Sequence, residues 1–370
     1  MTPPFGVYVH IPFCTRRCDY CAFAAWDDRG HLIDSYVDAV VAEAAGAAAE
    51  LPAATSVFFG GGTPSLLTPD QLASILTGIR LAGGAEVTVE CNPETVTVRS
   101  LSGYRHAGVN RISLGVQSLS RRVLHALGRR HESDAVAPAV EAVRAAGFDN
   151  FNLDLIYGAA GETLAEWDAT LRAVVALGPP HVSAYALTVE PGTPLALDPE
   201  RHPDADLQAD MYLLATDVLG AAGLEWYEIS NWAAPGRECR HNLLYWEQGN
   251  YRGLGCAAHS HHNGRRWWNV RTPERYMGAA GAAGAAGATP LAVEAASEMV
   301  VGPARSFEAL SLALRTRRGV PVGALGDLDL LVDAGLVVVV DGNAVLTARG
   351  RLMANEVAAR LRAPVFARPA

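Results

Sequence analysis

Long apolar runs are missing from this 370-residue chain. No uninterrupted stretch reaches the roughly 18 residues that a membrane-spanning helix needs. The opening MTPPFGVYVHI has neither the basic leader nor the long apolar core of a secretory signal, so the expectation is a cytoplasmic protein. Positive charge is also short: 30 Lys and Arg face 39 Asp and Glu, a net charge of −9. A large nucleic-acid footprint needs a basic face to replace condensed counterions, so no nucleic-acid partner is expected. Cysteine is scarce, six residues in all. Disulfides are not needed, because a chain of this length with half of its residues hydrophobic buries a stable core unaided. Where glutathione and thioredoxin keep thiols reduced, a tight cysteine group reads as metal-binding or catalytic.

Such a group is present. The stretch HIPFCTRRCDYCAF places Cys14, Cys18 and Cys21 within eight positions, and no fourth cysteine follows nearby. A closed zinc site wants four ligands, with His10 or His31 as candidates for the fourth, and its usual signature is paired CxxC rather than CxxxCxxC. Three thiolates on an iron-sulfur cubane instead leave one iron open to a small molecule.

Up to about residue 230, short apolar runs alternate with amphipathic segments. The runs are VYVHI (7–11), SVFF (56–59), EVTVE (86–90), RISLGV (111–116), FNLDLIY (151–157), HVSAYALTV (181–189) and a weaker EWYEIS (225–230). Near-continuous hydrophobicity suits strands buried on both faces, as in parallel sheets. Helix signals lie between them, such as Thr68 followed by Pro69 before QLASILTGIRLA, an N-cap and a first-turn proline. The pattern predicts an α/β fold with a parallel sheet, either doubly wound or a barrel. Polar or glycine residues close successive runs: Gly60, Gly61, Gly62, Glu90, Gln117, Asp154 and Tyr185. That is the face where a (β/α) barrel collects function.

Residues 231–295 form a junction rich in aromatics, glycine and histidine. It holds RHNLLYW (240–246), the histidines His259, His261 and His262, and a GAAGAAGAAGA tract that reads as a weak helix or a spacer. Residues 296–370 read as a small α+β unit of helix, helix, hairpin and helix, with the hairpin turning at Asp341 and Gly342. This order is winged-helix-like.

With these motifs in view, VYVHIPFCTRRCDYC resembles the signature of radical S-adenosylmethionine (SAM) enzymes. Its form is similar to the branch of oxygen-independent coproporphyrinogen III oxidases and HemW-type heme chaperones. FFGGGTPSLL, VTVECNPE, NRISLGVQS and NFNLDLIYG extend the resemblance along nearly the whole chain. It implies a partial (β/α)6 TIM-like barrel over residues 1–230 and a winged-helix-like accessory domain over 296–370. It further implies a 4Fe-4S cluster on Cys14, Cys18 and Cys21, with SAM chelating the open iron. Gly61, Gly62 and Thr63 would line its methionine moiety, Tyr8 and Glu90 would complete the site, and Tyr20, Gln117, Arg129, Asp154 and Ala186 would lie near one or two SAM molecules. The chemistry implied is one-electron cleavage of the sulfonium to a 5′-deoxyadenosyl radical.

The oxidases resemble CxxxCxxCxC, whereas Phe23 stands at the last position here, which places the chain on the chaperone side. Ala22 replaces the aspartate usual in that branch. RHNLLYW matches the HNxxYW element proposed to bind heme, so His241, Asn242, Tyr245 and Trp246 are candidate heme contacts, with Cys239 and the 259–262 histidines as competing ligands. The resemblance implies delivery of heme to apoproteins such as respiratory enzymes, an electron donor for the cluster, and peripheral membrane association through the acceptors. Oxidative decarboxylation of coproporphyrinogen III is the alternative activity, and a zinc-stabilised binding module is the alternative of another class.

Overall fold

The computed structural model describes residues 3–129, 133–286 and 293–362. Six strands carry the parallel core: β1 Phe5–Ile11, β2 Ala54–Gly61, β3 Leu81–Cys91, β4 Arg111–Gln117, β5 Phe151–Tyr157 and β6 His181–Ala186. They lie side by side in chain order, each parallel to the next. Their alternate side chains face the barrel interior and the helix layer outside, so β1 and β5 are buried at six of seven positions, as the apolar runs require. Helices between them start where side chains satisfy free amides: Thr68 with Gln71 and Thr163 with Glu166 form reciprocal capping boxes.

The sheet does not close on itself. Beyond β6 lie the antiparallel strands β7 Glu225–Glu228 and β8 Asn231–Ala233. On the other side β9 Asn250–Leu254 runs parallel to β1, followed by antiparallel β10 His259–His262, β11 Arg265–Asn269 and β12 Glu294–Met299. The result is a sheet of twelve strands. Two expectations change: the sixth run stops at Ala186 rather than residue 189, and EWYEIS is an antiparallel return rather than a further parallel strand. The alanine-glycine tract falls within the helix Pro273–Ala286 and residues 287–292, which lie outside the described residues. That helix is anchored at its start, where the buried Tyr276 hydroxyl donates to Glu43 Oε2 (2.6 Å).

A second core of Leu314, Val320, Leu325, Leu331, Val337, Leu346 and Val357 gathers under the sheet β13 Val320–Pro321, β14 Val337–Val340 and β15 Asn343–Leu346. The hairpin turns at Asp341 and Gly342 with φ of 48° and 79°, the left-handed pair that a tight two-residue turn needs. The last expected helix is broken at Met353 into Ala348–Leu352 and Ala354–Ala358. Among the described residues no helix is long and apolar enough to cross a membrane.

Candidate functional site

The C-terminal ends of the six parallel strands surround a cavity of about 680 Å³. Cys14, Cys18 and Cys21 line it together with Tyr20, Gly61, Gly62, Thr63, Glu90, Gln117, Arg129, Asp154 and Ala186. The three thiols are free and sit on a loop whose neck is tied: Cys14 N–H donates to Trp26 O (3.0 Å) and Trp26 N–H to Pro12 O (2.8 Å). The glycine-rich loop after β2 is pinned to the same neck, with Gly62 N–H donating to Ile11 O (2.8 Å) and Thr63 N–H to Phe13 O (2.7 Å). A Cβ at Gly62 would lie 2.5 Å from Phe13 O, and one at Gly61, with φ of +115°, 2.5 Å from the His10 ring. Glycine is required at Gly62 because two backbones meet there, and at Gly61 because of its left-handed φ and the His10 ring. The Thr63 hydroxyl points at Cys14 Sγ (3.6 Å).

Acidic groups form the inner wall. Gly61 N–H donates to Glu90 Oε2 (3.2 Å). Burial, with the charge of Asp154 beside it, pushes the Glu90 carboxyl up to about 8. Asp154 is raised by burial despite hydrogen bonds donated by Ser113 Oγ and Asn152 Nδ2, each 2.8 Å. The half-buried Arg129 lines the same cavity, donating to Asn92 Oδ1 (3.1 Å) and Tyr20 Oη (3.4 Å) while its Nε has no partner. Gln117 closes β4 with φ of 65°, a left-handed conformation costing about 1–3 kcal/mol that a non-glycine residue holds only under outside constraint. A cation with an unfilled donor on the same cavity as two carboxyls suits a zwitterion that presents one charge of each sign.

The remaining candidates sit elsewhere. Tyr8 stacks on Phe58 (6.5 Å between centroids) and pairs with His10 Nδ1 (3.0 Å). It lines a smaller cavity of about 220 Å³, which shares Phe23, Gly61, Glu90, Ser113, Asp154 and Tyr185 with the larger one and is closed below by His241, Asn242 and Tyr245. His241 is 1 % exposed and uses both ring nitrogens, Nδ1 with Ser56 Oγ (2.9 Å) and Nε2 with Tyr245 Oη (2.8 Å). Trp246 lines a separate cavity with Tyr227, Thr316 and Arg317. The expected heme element is therefore divided: the helix Arg240–Trp246 turns His241 and Tyr245 into the barrel floor and Trp246 away from it, and no lone pair of His241 is open to an iron. Residues that the sequence reading missed include Asn92, whose amide bridges Arg129 and Thr63 Oγ1 (3.4 Å). Its position directly after Cys91 at the end of β3 was the available signal.

Residues 8–174 match the Radical SAM superfamily. The heme chaperone HemW of Mycobacterium tuberculosis (strain H37Rv) is 43% identical over 96% of this chain and 94% of its own length. The chain belongs to the HemW family of radical SAM proteins. HemW of Escherichia coli K12 is 41% identical over 70% of each chain. The solved coproporphyrinogen III oxidase HemN from Escherichia coli superposes with a TM-score of 0.80 at 22% identity, covering 96% of this chain and 89% of that one, which shows a shared fold.

For this HemW-family chain, membership implies a 4Fe-4S cluster and SAM. The residues present fit both. Three free thiols line one cavity, burial pushes Cys14 up to about 11 although Thr63 and Arg129 oppose it, and the Arg129 Nε has no partner beside the glycine cradle.

Proposed function

We propose that this protein is a heme chaperone, holding a cluster on Cys14, Cys18 and Cys21 with SAM beside it and passing heme to apoprotein acceptors. The observation that carries the reading is the convergence of the loop thiols Cys14, Cys18 and Cys21 with a charged cradle of opposite signs on one cavity. When bound and reduced, the cluster supplies the electron for SAM cleavage. The protein's residues do the positioning. Gly61, Gly62 and Thr63 would present backbone to the methionine moiety, Glu90 would accept a hydrogen bond from its amino group, and Arg129 would donate to its carboxylate. Gln117, Asp154, Tyr20 and Ala186 enclose the rest, and Tyr8 supports the wall through His10. Buried as they are, these charges act in a medium less screening than water.

Phe23 separates this reading from porphyrin decarboxylation. It stands 66% exposed at the lip shared by the two cavities, where the oxidases carry a further cysteine. Acceptors of the respiratory class, a reductant protein for the cluster and membrane contact through those acceptors belong to the same proposal. Incubation of the anaerobically reconstituted protein with coproporphyrinogen III, dithionite and SAM tests it. The expected outcome is no protoporphyrinogen alongside stoichiometric heme binding; turnover to product overturns the chaperone reading in favour of the oxidase.

A further inference from the structure

The floor of the barrel holds a cation that the cluster and SAM do not use. Arg111 opens β4 and is 1 % exposed, yet it lines the smaller cavity of about 220 Å³. A guanidinium keeps its charge inside a protein, and burying a charge without a partner is costly. The Arg111 Nε meets no acceptor among the described residues. The strand register sets Thr88 of β3 opposite Arg111 on the same inner face. The hydroxyl oxygen of Thr88, fully buried, has no partner either.

The groups around this cation are engaged elsewhere. Arg111 feels the charges of Glu86 and Asp154. Glu86 accepts from the backbone amides of Arg240 and His241, each 3.2 Å, and from the Cys239 thiol (3.6 Å). Asp154 accepts from Ser113 and Asn152. His181 is held at Nδ1 by Asn152 Oδ1 (2.7 Å) and at Nε2 by Tyr227 Oη (2.8 Å). The fold thus leaves a buried guanidinium opening on a cavity while its neighbours bond to one another.

The other walls select the anion. Tyr8, Phe58 and Tyr245 line one side and suit a short apolar tail. Glu90, held near 8 by burial, is protonated at neutral pH and donates to a carboxylate oxygen. The acids Glu86 and Asp154 disfavour a second negative charge, which disfavours phosphate. The volume lies below the roughly 300 Å³ at which ordinary ligand pockets begin, so the occupant is small. Phe23, Gly61 and Tyr185 border both cavities, so it enters by way of the larger one.

We propose that the barrel floor is a binding site for a short-chain carboxylate, with Arg111 as its anchor and Tyr8 and Phe58 against its tail. The carboxylate is a free acid such as propionate or a propionate arm of the heme cargo. The second source rests on the chaperone reading; the site itself does not.

The test is calorimetric titration of the full, cluster-loaded, SAM-free chain with propionate and with propionamide, its neutral isostere. Wild type prefers propionate by about tenfold or more. Arg111→Gln loses the preference and Arg111→Lys keeps it. Arg129→Gln, which removes the cation of the proposed SAM cradle, keeps it too. Unchanged cluster absorbance and urea midpoint verify the fold of each variant. A wild type that binds neither compound, or both equally, overturns the site without recourse to any variant. A preference that survives in Arg111→Gln overturns it as well, because the carboxylate then sits on Arg129 or on the cluster. Propionate that displaces ferric heme but not heme dimethyl ester identifies the arm of the cargo; propionate that displaces neither identifies the free acid. A chain that takes up no heme overturns the chaperone reading and leaves the carboxylate site standing.

Discussion

With Glu90 in the proposed SAM site, SAM binding is expected to expel a proton from this carboxyl. With burial and the neighbouring Asp154 holding its carboxyl at about 8, Glu90 is protonated in about nine-tenths of the SAM-free molecules at pH 7. A positive charge such as the SAM sulfonium brought within 4–6 Å lowers a carboxyl pKa by about one to three units. A bound value near 6 leaves about one-tenth protonated. The difference is about 0.8 proton released per SAM at pH 7, falling to about 0.2 at pH 8.5. Calorimetric titrations in two buffers of different ionisation enthalpy read this number directly. Glu90→Gln abolishes the release and removes a charged hydrogen bond worth about 1.5–3 kcal/mol, so affinity drops about 10- to 150-fold. The same pKa sets a stability slope. Because it is raised above its ordinary 4.5, the folded state keeps a proton that the unfolded chain has lost. SAM-free protein therefore loses stability as pH climbs from 4.5 to about 8, and Glu90→Gln flattens that slope. A wild type that binds SAM with no proton release, or a glutamine variant that releases as much, refutes the reasoning.

Other consequences are separable from this one. Cys18→Ala removes a partly exposed thiol, so urea stability of the metal-free protein changes little while reconstituted iron and the broad absorbance near 400 nm are lost; retention of a full iron complement would contradict the ligand assignment. Gly62→Ala drives a methyl against Phe13 O at a cost of about 1–3 kcal/mol, and because Phe13 precedes Cys14, cluster occupancy and SAM affinity fall with the urea midpoint. Glu43 is buried with Arg252 (2.9 Å) and also accepts from Asn269 and Gly255. Glu43→Ala leaves that guanidinium unpaired and costs about 3–5 kcal/mol in denaturant unfolding; a loss under 1 kcal/mol would show the pair to be screened.

The parallel core and its cavity were legible because each strand end carries its own signal. The runs ending at Phe59, Val89 and Val116 lead directly into the glycine or polar residue that emerges on the rim, and Asp154 comes from within β5 to the same cavity. The antiparallel strands were not legible. HSHH and RRWWN lack the alternation or length that marks a strand, and they are ordered by pairing to β9 and β12 rather than by their own propensity. The RHNLLYW element does not form one surface, for a geometric reason: residues 241 and 245 share a helix face at i, i+4, whereas 246 lies about 100° round the axis. Reading the motif as one surface joined side chains that a helix must part. The last helix breaks where Met353 leaves the helical region, with φ of −105° and ψ of 23°.

The central claim is that the three-thiol barrel serves heme handling, and heme transfer measures it most directly. Cluster-loaded protein charged with one equivalent of heme is mixed with an apo-cytochrome acceptor, separated from it, and the heme on each partner is quantified with and without SAM and reductant. The account predicts that heme moves to the acceptor faster than from free heme bound to albumin, with coproporphyrinogen III left unchanged in a parallel reaction. Heme that stays on the protein while coproporphyrinogen III is converted would contradict it.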